Sequence, residues 1–316
     1  MPERPSRAVA TGARYAGRIA LGILLVASSP CLLAEAGDAS LRFEYQYIRT
    51  GKFDMSVGQL DIGNTDAHVY MLSGSYALTD RLTAFASLPW IQKRHTGALP
   101  HNARVDFQEF EPPDLRVVDD GSYHGGWQDL YVGLQYLVRD KRLKLSPFIS
   151  YGRPVNDYPF YGHAAIGRNL WHVPVGLAWS FTPYFDDWYL EGDVAYIFTE
   201  KTLGHNVSHW LVNFRAGYFV HPRFAPKLFV SVKHGTKGLD WPDDFDLANL
   251  DSAEFYYHDR TIKHNWVNAG VGFDFIVTDR YQVTGTWFKM VDPEQVNIVD
   301  RAWTLGVTRF FSRGRD

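Results

Sequence analysis

The sequence predicts an all-β fold: a transmembrane antiparallel barrel of about twelve strands, with short periplasmic turns and long extracellular loops. Three observations predict it. Segments of about ten residues, alternating apolar with small or polar side chains, recur from Ser40 to Phe311. The chain of 316 residues is 16% aromatic, with 10 Trp, 18 Tyr and 21 Phe, and such rings suit a membrane–water interface. The last segment, Ala302 to Phe311, puts Trp303, Leu305, Val307 and Phe311 on one face and Thr304, Gly306 and Thr308 on the other. An aromatic strand near the terminus is the kind that closes a barrel and engages the barrel assembly machinery.

A helical bundle is excluded first. Mean hydropathy is −0.24, and after the first forty or so residues no run approaches the roughly 18 apolar residues a spanning helix needs. The N-terminus reads as a secretory signal over residues 1–36, followed by one barrel domain over 37–316. Arg4, Arg7, Arg14 and Arg18 form its basic region, Ile19 to Ala27 its apolar core, and Ala34-Glu35-Ala36 a small-residue cleavage site. Cys31, the single cysteine, lies inside it, so the mature chain has no thiol for a disulfide or a metal. Removing the signal takes away four Arg and two Glu, leaving 28 basic against 33 acidic residues. That balance does not suggest a nucleic-acid partner.

The strands are expected, in order, at Ser40–Thr50, Asp66–Leu78, Leu82–Arg94, Gln128–Val138, Leu143–Pro154 and Asn169–Phe181. They continue at Trp188–Glu200, Val207–Val220, Pro226–Gly238, Lys263–Val277, Tyr281–Val291 and Ala302–Phe311. Connections alternate short and long. The short ones, such as Thr79-Asp80-Arg81 and Thr278-Asp279-Arg280, carry the residues of tight turns. The longest run from about His95 to Trp127 and from about Leu239 to Ile262. An even strand count then leaves both termini in the periplasm.

Each strand has a bulky apolar face and a polar one. Trp90, Trp171, Trp179, Trp188, Trp210, Trp287 and Trp303 fall near strand ends and are expected to form interfacial girdles. The inner face is where function is sought. Arg42, Glu44, Asp129, Gln135, Glu191, Asp193, Asn213, Arg215, Lys233 and Asp274 are the lumen candidates, with Lys144 and Lys227 beside them. Glu191 and Asp193 lie on the strand before Arg215, close enough for a pair. Such charges either select solutes or fill a small barrel as a paired network.

The outer connections are acidic: Asp240, Asp243, Asp244, Asp246, Asp251, Glu254 and Asp259 in one, Asp106, Glu109, Glu111, Asp114, Asp119 and Asp120 in another. They suit solvated loops, or the divalent cations that bridge lipopolysaccharide. The 12 His scatter without a His-Glu-x-x-His pair, so no metal or other cofactor is expected. A hydrolase needs Ser within reach of His on one face. No His has Ser two residues later, and Ser208 and His209 point to opposite faces. An enzyme is not expected.

Two segments resemble a known family. Thr79-Asp80-Arg81-Leu82, followed by Ala86-Ser87-Leu88-Pro89-Trp90, has the form of a turn and a strand ending in Leu-Pro-aromatic. Gly126 to Tyr136 has the form Gly-x-x-Asp-x-x-x-Gly-x-x-Tyr. Both are similar to segments of the outer-membrane proteins of the MetA pathway of phenol degradation. The resemblance implies a β-barrel transporter for hydrophobic compounds. The sequence therefore points to passive passage of a small-molecule solute, apolar or aromatic ones among them, across a membrane of lipid and lipopolysaccharide. The alternatives are a closed structural or adhesive barrel working through its loops, and a lipid-modifying hydrolase.

Overall fold

In the computed structural model every barrel strand pairs with its chain neighbours, and the last pairs with the first. The structure describes residues 35–55, 58–97, 101, 107, 109–183, 187–241, 243–245 and 252–312. All but the end of the expected export signal lies outside them. The strands are β1 (Ala39–Met55), β2 (Gly58–Ala77), β3 (Leu82–Thr96), β4 (His124–Trp127), β5 (Asp129–Tyr136), β6 (Leu143–Pro154), β7 (His172–Phe181) and β8 (Trp188–Thr199). There follow β9 (Lys201–Thr202), β10 (His205–Asn206), β11 (His209–Tyr218), β12 (Phe224–Gly235), β13 (Asn265–Thr278), β14 (Tyr281–Glu294) and β15 (Asn297–Phe311). β4 and β5 succeed each other along one position of the wall, and β9–β10 is a separate hairpin, so the closed ring has 12 strands. Closure by the β1–β15 ladder, from Ala39↔Phe311 upward, leaves no edge whose N–H and C=O groups would face lipid.

Burial follows the alternation. On β15, Trp303, Leu305 and Val307 are exposed, while Thr304, Gly306 and Thr308 turn inward. An exposed apolar belt of this kind is stable only in lipid. Aromatic residues cluster at two heights of the belt. Trp188 packs on Tyr218 near the turns, with ring centroids 4.8 Å apart. Toward the loops Trp210 meets Tyr196 at 5.0 Å and Trp303 meets Tyr45 at 5.0 Å. Trp171 and Trp287 are exposed there too, as is Trp127, which strand position alone does not single out. Trp90 lies tilted beside Tyr70 at 5.6 Å, and Trp179 beside Phe214 at 6.0 Å. Arg309 sits two residues before the end of β15, opposite Tyr281, the first residue of β14. Its guanidinium carbon lies 4.6 Å from the Phe311 ring centroid, at the periplasmic rim.

Two expected outer loops are instead strand. β1 and β2 stay paired as far as Met55↔Gly58, and β14 and β15 run on to a tight connection at Gln295-Val296. Alternation persists there only in short runs, such as Lys52-Phe53-Asp54-Met55 and Gln59-Leu60-Asp61-Ile62, too brief on their own to read as a spanning strand, while Ile62, Val296 and Val299 are buried on the inner side. The two hairpins are tied together: the Asp54 N–H donates to the Val296 carbonyl at 2.7 Å, and the Gln295 N–H to the Asp54 carboxylate at 3.1 Å.

One irregularity of the wall matters most for the site. β3 pairs with β5 as far as Ser87↔Tyr131 and resumes with β4 at Trp90↔Trp127. Between them stands Pro89, which has no N–H to give the ladder. Its carbonyl accepts the Gln128 N–H at 3.0 Å. Gln128 and Asp129, although consecutive, are both buried, while Trp127 and Leu130 are exposed. A bulge of this kind re-aims side chains. The Leu-Pro-aromatic segment and the Gly-x-x-Asp segment thus meet at one spot and present two polar groups to the interior. Gly133 of the same motif is a close-approach position. A Cβ there would lie 2.4 Å from the Phe85 ring and 2.7 Å from the Ile149 carbonyl oxygen.

Candidate functional site: the lumen and its looped mouth

Three inward-facing layers can be distinguished. Nearest the periplasm the charges pair. On β1, Arg42 binds Glu44, and its Nη2 donates to the Thr284 hydroxyl of β14 at 2.9 Å. The Arg215 Nε lies 3.3 Å from the Glu191 carboxylate across the β8–β11 ladder. Lys227 Nζ is 2.7 Å from Asp274, which also accepts the Tyr189 hydroxyl. Further in, the Asn213 amide donates to Asp193 at 2.8 Å and accepts from the Ser231 hydroxyl at 2.7 Å. These groups are held by partners as well as facing the lumen, because charge removed from water is tolerated only when paired. Gln135 is half-buried on the inner face of β5, and Lys144 lies 3.4 Å from Asp140 at the turn.

The second layer was not expected. Phe148, Ala195, Ile197, Leu211, Trp266, Phe288 and Met290 form one buried cluster, with Phe85 and Phe229 packed against it. Phe229 and Phe288 meet edge to face at 5.5 Å. All come from inward positions of strands whose inner faces were expected to be polar. A signal exists, since the inner register of β12 and β14 places these phenylalanines beside Ser231 and Thr286. Alternation taken alone assigns bulky residues to lipid, and so discounts them.

The third layer is the mouth. The β6–β7 loop, residues 155–171, turns into the barrel, where Ala164 and Leu170 are wholly buried. It is held by the wall bulge. The Tyr158 hydroxyl donates to the Asp129 carboxylate at 2.6 Å and accepts the Asn169 N–H at 3.1 Å, and the Gln128 amide donates to the Ile166 carbonyl at 3.0 Å. Tyr158 and Ile166 pack on Val69 and Ile91 of β2 and β3. Gly167 fits because a Cβ there would be 2.4 Å from the Gln128 amide nitrogen. Asp129 was expected in the lumen as a selectivity group; in the structure its carboxylate is occupied with this loop, and His172 lies 3.8 Å from it.

The other two long loops close over the first. Phe107, Tyr161 and Tyr256 form an aromatic core joining all three, with Phe110, Phe160, Phe255 and Tyr257 around it. The Tyr256 hydroxyl donates to the Asp114 carbonyl at 2.9 Å, Arg168 Nη2 to the Ile262 carbonyl at 3.0 Å, and Arg260 Nη2 to the Asn169 carbonyl at 3.1 Å. Burial pushes the Arg168 guanidinium down to about 10, against the attraction of Asp259. Lys93, Arg168 and Lys233 are all buried around this level. Lys93 Nζ donates to the Ala165 carbonyl at 2.5 Å, whereas Lys233 makes no hydrogen bond or ion pair among the described residues. A cavity of about 60 Å³ remains between the loop and the walls of β1, β2 and β3, lined by Thr50, Thr65, Lys93, His163, Arg168 and Asp259.

The expected solvated acidic loops are only partly so. Asp240 pairs with Lys263 at 2.6 Å, and Asp246 and Asp251 lie outside the described residues. Asp119, by contrast, is buried. Its carboxylate accepts the N–H groups of His163 at 2.9 Å, Ala164 at 2.8 Å and His101 at 3.2 Å. Burial alone would raise this carboxyl, but the His101 hydrogen bond, His163 and the Ala164 N–H hold it well below the usual range. Burial, with His101 beside it, pushes the His163 imidazole well below its ordinary value. Ser208 and His209 take separate partners, the hydroxyl accepting from the Thr199 N–H and the ring bonding the Val207 carbonyl.

Residues 61–290 match the family model described as the MetA pathway of phenol degradation. The chain belongs to that family. Among solved structures it is similar to the COG4313 outer membrane channel from Pseudomonas putida F1, at 16% identity and a TM-score of 0.64, covering 90% of this chain and 99% of that one. A weaker likeness, at 11% identity and a TM-score of 0.47, is to the NanC porin, covering 85% of this chain and 98% of the other. No curated protein matches the sequence. The two segments that carry the family resemblance are those that form the Pro89–Asp129 bulge, so within this MetA-pathway protein they set the point where the plug is attached.

Proposed function

We propose that this member of the MetA-pathway family is an outer-membrane channel for the passive passage of small apolar or aromatic molecules. The observation that carries the reading is the aromatic cluster of Phe85, Phe148, Phe229 and Phe288 inside the barrel, between a paired-charge layer and the looped mouth. Ions gain nothing from contact with phenylalanine in a lumen. A path for aromatic solutes gains contact area and edge-to-face partners. The Pseudomonas putida protein that shares the fold is an outer membrane channel, which agrees with this reading. The lumen charges Arg42, Glu44, Glu191, Asp193, Asn213, Arg215 and Asp274 act as the polar frame that fixes pore width. Lys233, unpaired among the described residues, faces solutes that pass the loops. Export by a signal cleaved after Ala36, insertion by the assembly machinery through β15, and contact with lipopolysaccharide complete the reading.

The test is solute flux. Liposomes carrying the refolded protein should take up a monoaromatic alcohol faster than protein-free liposomes, and faster than they take up a sugar of equal size. Equal rates with and without protein, together with an absence of conductance steps in a planar bilayer, would exclude a channel.

A further inference from the structure

Nothing in their spacing along the chain groups the histidines, yet the fold gathers several of them at the mouth. His95 is the penultimate residue of β3, Asp119 lies in the β3–β4 loop and His163 in the β6–β7 loop. One ligand atom from each lies within 4.8 Å of the others. The His95 and His163 ring centroids are 4.5 Å apart, and those of His101 and His163 are 4.6 Å apart. We propose that His95, His163 and Asp119 bind a divalent transition-metal ion of the zinc class, which ties the end of β3 to both plug loops.

The donor set fits that class. Two imidazoles and a carboxylate, with no thiolate, are ligands for zinc, nickel, cobalt or copper, whereas calcium and magnesium take oxygen. Metal–ligand bonds of about 2.0–2.1 Å in a tetrahedron set donors roughly 3.3 Å apart, so donors within 4.8 Å of one another draw together by no more than about 1.5 Å to close on an ion. The surroundings resemble those that orient metal ligands. His95 Nδ1 is 3.0 Å from the Thr65 hydroxyl, a contact that orients the ring. His101 Nδ1 is 3.1 Å from the Asp119 carboxylate and orients it. The His163 ring nitrogens make no hydrogen bond among the described residues, so a half-buried imidazole is held without a polar partner against two other potential ligands. A cavity of roughly 60 Å³ borders the site on the His163 side.

The competing arrangement is a hydrogen-bonded knot in which Asp119 merely caps the backbone of the β6–β7 loop. It accounts for the carboxylate, whose oxygens accept three N–H groups, and for His101 bonded to it, but not for the His163 ring placed against both His95 and Asp119. A metal there also has a consequence for the plug. Its three ligands come from three segments, so occupancy stabilises the closed mouth in proportion to the logarithm of free metal over Kd. The site does not depend on what the barrel conducts.

The experiment uses the full mature barrel, refolded in detergent without a histidine tag, and Co²⁺ or Zn²⁺ as the probe. Equilibrium dialysis and Co²⁺ visible absorbance should report one tightly held ion per chain. His163→Ala and His95→Gln should each weaken binding by at least about tenfold, and His101→Ala by about 10- to 100-fold as an orienting group. His124→Ala, a loop histidine paired with Asp120, should leave it unchanged. Bound Zn²⁺ should also slow proteolysis of the loops in wild type and not in His163→Ala. No retained Co²⁺ in the wild-type protein overturns the proposal outright, even if the variants fail to fold. So does wild-type affinity in a folded His163→Ala variant, or loss of binding in His124→Ala. Flux measured on metal-free protein tests the channel reading separately.

Discussion

Replacing Tyr158 with Phe tests whether the wall bulge holds the plug. The change removes only the hydroxyl that donates to Asp129 at 2.6 Å and accepts the Asn169 N–H at 3.1 Å. The ring, packed on Val69, Ile91 and Ile166, stays. A buried hydrogen bond to a carboxylate contributes about 1.5–3 kcal/mol, and a neutral one about 0.5–1.5 kcal/mol. The closed loop should therefore lose about 2–4 kcal/mol, which raises its opening constant about 30- to 700-fold at 1.4 kcal/mol per tenfold. Amide hydrogen exchange reads this directly. The Ala165 N–H, bonded to the Gly162 carbonyl at 3.1 Å, and the Ala164 N–H, bonded to Asp119, report on opening of the loop. Both should exchange faster by that factor in Tyr158→Phe. Tyr123→Phe removes a hydroxyl that meets His68 at 3.2 Å at an exposed site and should change neither amide. Exchange within about threefold of wild type in Tyr158→Phe would refute the anchoring argument.

Other perturbations address the wall and lumen. Gly133→Ala forces a Cβ against Phe85 and the Ile149 carbonyl, and should destabilise the barrel by about 1–3 kcal/mol, read as a lower temperature for loss of the folded band on unboiled gels. Phe288→Ala empties part of the aromatic layer; it should cost about 3–5 kcal/mol of stability and lower the preference for aromatic over sugar flux. Glu191→Gln leaves Arg215 without its carboxylate, so the reversal potential in a salt gradient should move toward anion preference; no movement would mean the pair lies off the solute path. Leu305→Arg places a charge on the lipid face well inside β15 and should cost about 2–4 kcal/mol in refolding titrations, whereas Arg309→Leu at the rim should change stability little.

The barrel is legible along the chain. Strand period, turn chemistry and the aromatic belt are local properties, because in lipid each strand must show one apolar face and each end of the belt favours Trp or Tyr. The lumen pair Arg215–Glu191 is legible for the same reason, since neighbouring strands in a meander place equal heights side by side. In the tall β1–β2 and β14–β15 hairpins the alternation is broken into short runs, and the strands are hidden. The mouth exists only in three dimensions. His95, Asp119 and His163 are far apart in sequence, and Tyr158 reaches Asp129 only because Pro89 interrupts a ladder and a bulge turns two consecutive side chains inward. Contacts of that kind depend on how loops fold back through space, and no periodicity along the chain records them.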